Sequence, residues 1–258
     1  MVTLYFSGTG NSRYIAELFA AEMGGACLSI EETAEFSALI GKADAVAFVY
    51  PVYLSRVPRI MREFVKAHAA DLKGKKLVVL CTQMRFSGDG ARCFTRLLPR
   101  GTADVIYAEH IFMPNNCNNL FVLAQTGGEE AQRLFAQARR TIPRICADIK
   151  AGIVKKRGFN IFSHLIGSMQ GVFQLPLERL TRKKIRISAD CTGCGLCVKH
   201  CPMNNLTIED GRARAGNNCT QCYRCLNLCP ERAVNLFFRG KVPWQYHGVK
   251  VKQEDAPA

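Results

Sequence analysis

The sequence predicts an α/β protein in two parts: a doubly wound parallel sheet of five strands over residues 1–150, then a small, cysteine-rich α+β domain over residues 188–238. Three observations carry that reading. Five short apolar runs alternate with stretches of helical periodicity across the first part, the pattern of a parallel sheet covered by helices on both faces. A glycine-rich turn, Ser7 to Ser12, directly follows the first run. Eight of the 13 cysteines fall between Cys191 and Cys229.

At 258 residues the chain exceeds one typical domain. An apolar fraction of 48% and a charged fraction of 22% exclude a wholly disordered chain. No apolar stretch approaches the roughly 18 residues of a membrane-spanning helix, and Met1–Phe6 lacks the basic-then-apolar start of a leader peptide. The reading therefore expects a cytoplasmic protein. In a reducing compartment a dense cysteine cluster signals metal ligation rather than disulfides. The scattered Cys27, Cys81, Cys93, Cys117 and Cys146 read as small core residues.

The strands are expected at 2–6, 26–30, 45–50, 76–82 and 103–113, and Ile15, Leu18, Phe19 and Met23 recur at the spacing of a first helix. Residues 151–187 break that rhythm. Within 159–174, Phe159, Ile161, Phe162, Leu165, Ile166, Met169, Val172 and Phe173 fall on one side of a helical wheel, and Pro176 is expected to stop the helix. Basic triplets at 155–157 and 182–184 bracket it. This linker reads as a bridge with its apolar side buried between two domains, ahead of a membrane-surface helix. His164 reads as solvated on the polar side. Over 188–238 every cysteine of one motif recurs 28 residues later. Between the copies, residues 206–215 carry a hairpin signal around Asp210–Gly211, and 233–238 would supply a closing strand. The tail, 239–258, is expected to dock in part and then fray.

The copies are Cys191, Cys194, Cys197, Cys201 and Cys219, Cys222, Cys225, Cys229, each spaced C-x2-C-x2-C-x3-C-P. Two residues between ligands let a tight loop aim three thiolates at three corners of one cubane, while the fourth leaves on a diverging turn toward the other cluster. One cluster would take Cys191, Cys194, Cys197 and Cys229, and the other Cys219, Cys222, Cys225 and Cys201. Zinc fits poorly, because three cysteines within seven residues crowd a single tetrahedral ion. No histidine replaces a ligand, which excludes a Rieske-type centre. Over about 50 residues the chain resembles the bacterial two-[4Fe-4S] ferredoxins.

The turn Ser7-Gly8-Thr9-Gly10-Asn11-Ser12 opens the first helix, so backbone N–H groups and three hydroxyls would surround a phosphate at a helix N-terminus. It has no P-loop lysine, and Arg13 stands where a dinucleotide fingerprint needs its third glycine; both argue against nucleotide hydrolysis. In a doubly wound sheet the ligand lies beyond the carboxyl ends of the strands. There the aromatic, proline-rich loop 50–58 and the loop 82–92 would seat a flat ring.

In order, spacing and this turn, residues 1–150 resemble flavodoxins. The whole chain resembles the flavodoxin–ferredoxin fusion proteins of anaerobes, a likeness shared by Met113-Pro114-Asn115-Asn116. The resemblance implies a flavodoxin-like sheet that binds FMN. Ser7, Gly8, Thr9, Gly10, Asn11 and Ser12 would hold the phosphate, Pro51 and Tyr53 one side of the isoalloxazine, and Thr82, Gln83, Met84 and Gly88 its other edge. Two departures are the absence of tryptophan from the first ring loop and the presence of Arg85 where those flavodoxins are acidic. A cation there would favour the reduced, anionic flavin.

The implied function is electron transfer between two [4Fe-4S] clusters and FMN, exchanging one- and two-electron steps with redox partners. One alternative is a flavin-dependent reductase of a small organic substrate fed by the clusters; its candidate acids, Tyr53, Asp89 and His110, lack convincing partners. Another is a docking module without FMN. No catalytic residue is assigned. The formal charge of +14 falls to about +8 once two oxidised clusters and a flavin phosphate are counted. Acidic redox proteins are then the expected partners, a membrane surface ranks second, and nucleic acid is not expected.

Overall fold

The computed structural model describes residues 1–85, 88–119 and 123–248. The first part contains β1 (Val2–Tyr5), α1 (Asn11–Met23), β2 (Cys27–Ser29), α2 (Phe36–Lys42), β3 (Ala45–Pro51), α3 (Arg59–Ala67), β4 (Lys76–Gln83), α4 (Gly90–Thr95), β5 (Asp104–Phe112), α5 (Gly128–Lys150) and β6 (Lys155–Lys156). Then come α6 (Ile161–Thr181), β7 (Ile185–Ile187), α7 (Leu196–Lys199), β8 (Leu206–Glu209), β9 (Arg212–Ala215), α8 (Arg224–Leu228) and β10 (Val234–Leu236).

The sheet is parallel in the order β2-β1-β3-β4-β5-β6. Both faces are buried, which explains why its strands read as continuous apolar runs. Leu4, Phe6, Phe48, Tyr50, Val79 and Cys81 enter one core with Met61 and Phe94. Ala47, Val49, Val78 and Leu80 enter the other with Ile15, Phe19 and Ile142. Cys81, Cys93 and Cys146 are buried core residues, and burial pushes the latter two thiols up to about 11. The sheet has six strands rather than the expected five. The extra one, β6, pairs Lys155 with Tyr107 and Lys156 with Ala108. A two-residue lysine strand carries no apolar signal, and lysine on an edge discourages further pairing.

The linker corrects three expectations. Helix α6 runs through Pro176 to Thr181, because a proline on the solvent side deprives only one outward carbonyl, which water can serve. Its apolar side is exposed, with Ile161 at 77% and Val172 at 69% relative exposure. The buried face is Ser163, Gly167, Gly171, Gln174, Glu178 and Thr181. Close fit outweighs hydrophobicity here. A Cβ on Gly167 would strike the Asp89 carboxylate, and one on Gly171 the Arg56 guanidinium. Glu178 takes Arg62 through both oxygens, at 2.7 and 2.9 Å. His164 is not simply solvated: its Nδ1 accepts from Arg96 Nη2 at 2.9 Å and lies 3.2 Å from Asp89 Oδ2. No helix among the described residues is long and apolar enough to cross a membrane.

In the small part, β7 and β10 pair antiparallel, as do β8 and β9. The turn between β8 and β9 places Asp210 at φ 50° and Gly211 at φ 69°, the left-handed pair that a two-residue hairpin loop requires. Leu206, Leu226, Val234 and Leu236 pack among the cysteines. The tail docks through Gln245, whose Nε2 donates to Leu226 O at 2.9 Å and Cys229 O at 2.7 Å. The expected fraying of the last residues, 249–258, lies outside the described residues.

Candidate cofactor site

The turn after β1 is held open by its own backbone. Gly10 adopts φ 102°, and its N–H donates to Ser7 Oγ at 3.1 Å. Helix α1 starts at Asn11 with no side-chain cap and no acid in its first turn, which leaves orphan N–H groups aimed at an anion. The turn is braced from three sides. Ser12 Oγ and Thr82 Oγ1 lie 2.7 Å apart, Asn11 Nδ2 donates to Pro114 O at 2.9 Å, and Asn116 Nδ2 donates to Thr9 Oγ1 at 2.9 Å. The Thr9 proton thus remains available to a phosphate. Arg13 is turned away, paired to Glu17 at 2.6 Å.

Beside the turn, at the carboxyl ends of the strands, lies a cavity of about 330 Å³, within the range of cofactor sites. Ser7, Gly8, Thr9, Asn11, Ser12, Pro51, Tyr53, Thr82, Gln83 and Met84 all line it, as does the exposed Arg85. Gly10 shapes the turn and is not part of the lining. Gly88 is a correction: it packs beneath α6, where its Cβ would lie 2.6 Å from Gly167 N, and does not reach the cavity wall. Phe86 and Ser87 of the same loop lie outside the described residues. The other ring loop closes on a tight turn in which Leu54 and Ser55 take φ 45° and 60°, and Tyr53 N donates to Arg56 O at 3.0 Å. Side chains there carry strain, countered by Ser55 Oγ donating to Gln170 of α6. The Tyr53 hydroxyl is buried in this wall without a partner among the described residues. Buried polar groups in native proteins are almost always paired, so the cavity suits a ligand with a polar ring edge.

The eight motif cysteines fall into two pockets. One is lined by Cys191, Cys194, Cys197 and Cys229, the other by Cys201, Cys219, Cys222 and Cys225. These are the crossed sets read from the spacing. Backbone N–H groups of Ala213, Asn205, Gln221 and Ala233 donate to the sulfurs of Cys191, Cys201, Cys219 and Cys229 at 3.3–3.4 Å. Burial pushes the free Cys222 thiol up to about 12, so a thiolate there needs a bound cation to offset its desolvation. The donor set therefore fits an iron–sulfur cluster in each pocket.

A flavodoxin domain family model matches residues 2–134, and a 4Fe-4S dicluster domain model matches residues 190–233. The chain belongs to the flavodoxin domain family. With its second domain it is a flavodoxin–ferredoxin fusion, an electron-transfer protein whose domains imply FMN and iron–sulfur clusters. Among solved structures, a flavodoxin from the domain Archaea is 13% identical, with 58% of this chain and 97% of that one covered at a TM-score of 0.38. The flavodoxin, WrbA-like protein from Agrobacterium tumefaciens is 18% identical, with 58% and 97% covered at 0.40. Flavodoxin 1 from Bacillus cereus is 16% identical, with 54% and 96% covered at 0.34. No curated protein matches the chain.

The fusion closes its cavity with residues that sequence reasoning did not select. Gln170, Gln174 and Leu177 come from α6, and Gln221, Tyr223 and Phe237 from the small part. The repeat contained a usable signal. Gly193 and Gly195, at φ 68° and 78°, correspond at the 28-residue offset to Gln221 and Tyr223, which hold φ 60° and 63°. Left-handed backbone suits glycine, so two side chains at these positions mark a function, and both reach the cavity. The two parts are clamped by Arg224, which donates to Ser7 O at 2.6 Å and Gly8 O at 3.0 Å and pairs with Glu31. Gly8 has a second reason to be glycine, since a Cβ would collide with the Cys222 carbonyl.

Proposed function

We propose that the fusion is a cytoplasmic electron-transfer protein with FMN in the cavity and a [4Fe-4S] cluster in each cysteine pocket, exchanging one- and two-electron steps with acidic redox proteins. When bound, the flavin stores two electrons and each cluster one. One observation carries the reading: Gln221 and Tyr223 line both the flavin cavity and the pocket of Cys201, Cys219, Cys222 and Cys225. A single loop walls both sites. The residues of the turn after β1 would hold the phosphate, Tyr53 and Gln83 would orient the ring, and α6 with Phe237 excludes water. Cys194 is exposed whereas Cys222 is buried, so the first pocket offers an electron entry at the surface and the second lies inward, against the cavity.

The reductase alternative needs a proton donor at the ring. Asp89 is tied to Arg96 at 3.2 Å, and His110 Nε2 accepts from Ala91 N at 3.1 Å; neither lines the cavity. Tyr53 remains, and burial holds its phenol protonated well above the usual value. The carrier reading is therefore preferred. Anaerobic purification should yield about eight irons per chain, one extractable FMN by fluorescence, and reductive titration to about four electrons per chain. Absence of FMN that cannot be restored by reconstitution would leave the docking-module reading.

A further inference from the structure

Helix α6 is inside out. Its glycines and polar residues face the protein, while Ile161, Leu165, Met169, Val172, Phe173 and Leu180, all between 59% and 77% exposed, form a stripe on the solvent side. The register is locked by the two glycine contacts and by Arg62–Glu178, so the helix cannot roll to hide the stripe. Leaving it in water is costly, since large apolar side chains gain free energy when they are removed from water.

Charge identifies the cover. At the carboxyl end, Arg179, Lys183, Lys184 and Arg186 are exposed; Glu178, the acid beside Arg179, is buried between Arg62 and Arg182, and Asp190 pairs with Lys241. At the amino end stand Lys155, Lys156 and Arg157, all exposed and partly neutralised by Glu109 and Asp104. Both ends of a stripe about 30 Å long are therefore basic. A second copy of the chain, docked parallel or antiparallel, would set cations against cations. A surface that is negative at both ends and apolar between them is what an anionic bilayer presents to a helix lying in its plane.

We propose that α6 docks the protein on anionic lipid membranes, with the apolar stripe in the acyl boundary and the flanking cations among the headgroups. The helix lies on the membrane and does not span it, in keeping with its interrupted apolar character. The test is co-sedimentation of the holoprotein with phosphatidylcholine–phosphatidylglycerol vesicles and with pure phosphatidylcholine vesicles, at low and moderate ionic strength. Binding is expected to the anionic vesicles, to weaken with salt, and to fall about tenfold or more in Lys183→Gln/Lys184→Gln. Leu165→Glu/Phe173→Glu should abolish it while iron and flavin content stay unchanged, because neither side chain supports the core. The proposal is overturned if anionic vesicles at low salt do not retain the wild type, if neutral vesicles bind it equally, or if the Glu pair binds undiminished. It is also overturned if the Glu pair instead abolishes self-association in sedimentation velocity, which would assign the stripe to a second copy.

Discussion

Thr9 occupies a position where one hydroxyl faces two ways: its oxygen accepts from Asn116, and its proton has no acceptor among the described residues and is open to an anion. Removing that proton in Thr9→Ala should weaken FMN binding to the apo-flavoprotein roughly 10- to 150-fold, the worth of one hydrogen bond to a charged group; fluorescence titration gives the number. Gln221 and Tyr223 test the opposite balance. Gly at either position relieves left-handed strain of about 1–3 kcal/mol but removes part of the cavity wall. Gln221→Gly and Tyr223→Gly should therefore keep both clusters, by iron content, while releasing FMN more readily in gel filtration. His110 is different in kind. Burial first, with Arg157 nearby, lowers it from 6.5 to about 4, and its neutral Nε2 is the acceptor for Ala91 N–H. Because the unfolded chain takes up this proton first, the stability is complete above 6.5 and is lost as pH falls through about 4. The loss amounts to roughly 3 kcal/mol, and His110→Gln should flatten the dependence of urea midpoints on pH over that window.

Among the elements, α6 is where pattern and packing part company. The wheel drawn from the sequence separates the two faces correctly, yet the face that packs is the one made of glycine, serine, glutamine and glutamate. Gly167→Ala should destabilise by about 1–3 kcal/mol despite the better helix propensity of alanine, because the new methyl meets the Asp89 side chain and backbone. Val172→Ala, on the exposed face, should be nearly neutral. Thermal unfolding of the two variants separates contact from propensity. The hairpin of β8 and β9 is the opposite case: Asp210–Gly211 announces its own turn, and the structure contains it.

At the scale of the molecule, the crossed cysteine sets tie the two motifs into one unit, and the second motif is tied in turn to the flavin cavity. Cys201→Ala should thus remove the cluster built on Cys219, Cys222 and Cys225, although Cys201 belongs to the first motif. FMN retention should drop as well, because that loop also walls the cavity. Iron analysis and EPR of the reduced protein read the first effect; loss confined to the cluster on Cys191, Cys194 and Cys197 would refute the crossed sets. Chelating iron from the wild type should loosen FMN in the same way, by releasing the loop, and Arg224 with it, from Ser7 and Gly8.

The sequence by itself determined the parallel sheet, the grouping of the eight cysteines into two sets of four and the turn after β1, because each rests on local chemistry: apolar periodicity, fixed cysteine spacing, and small residues where backbone must turn tightly. It also placed Pro51, Tyr53, Thr82, Gln83 and Met84 at strand ends, from which they reach the cavity. Only the tertiary structure decided that Gly88 lies under α6 instead of at the cavity, that Lys155–Lys156 add a sixth strand, and that α6 turns its apolar side to solvent. Only it could bring Gln221 and Tyr223 to the cavity, because that wall forms where a loop of one part meets the turn of the other more than 200 residues away. Periodicity records how hydrophobic a face is; what the face touches depends on fit, and fit is a property of two surfaces.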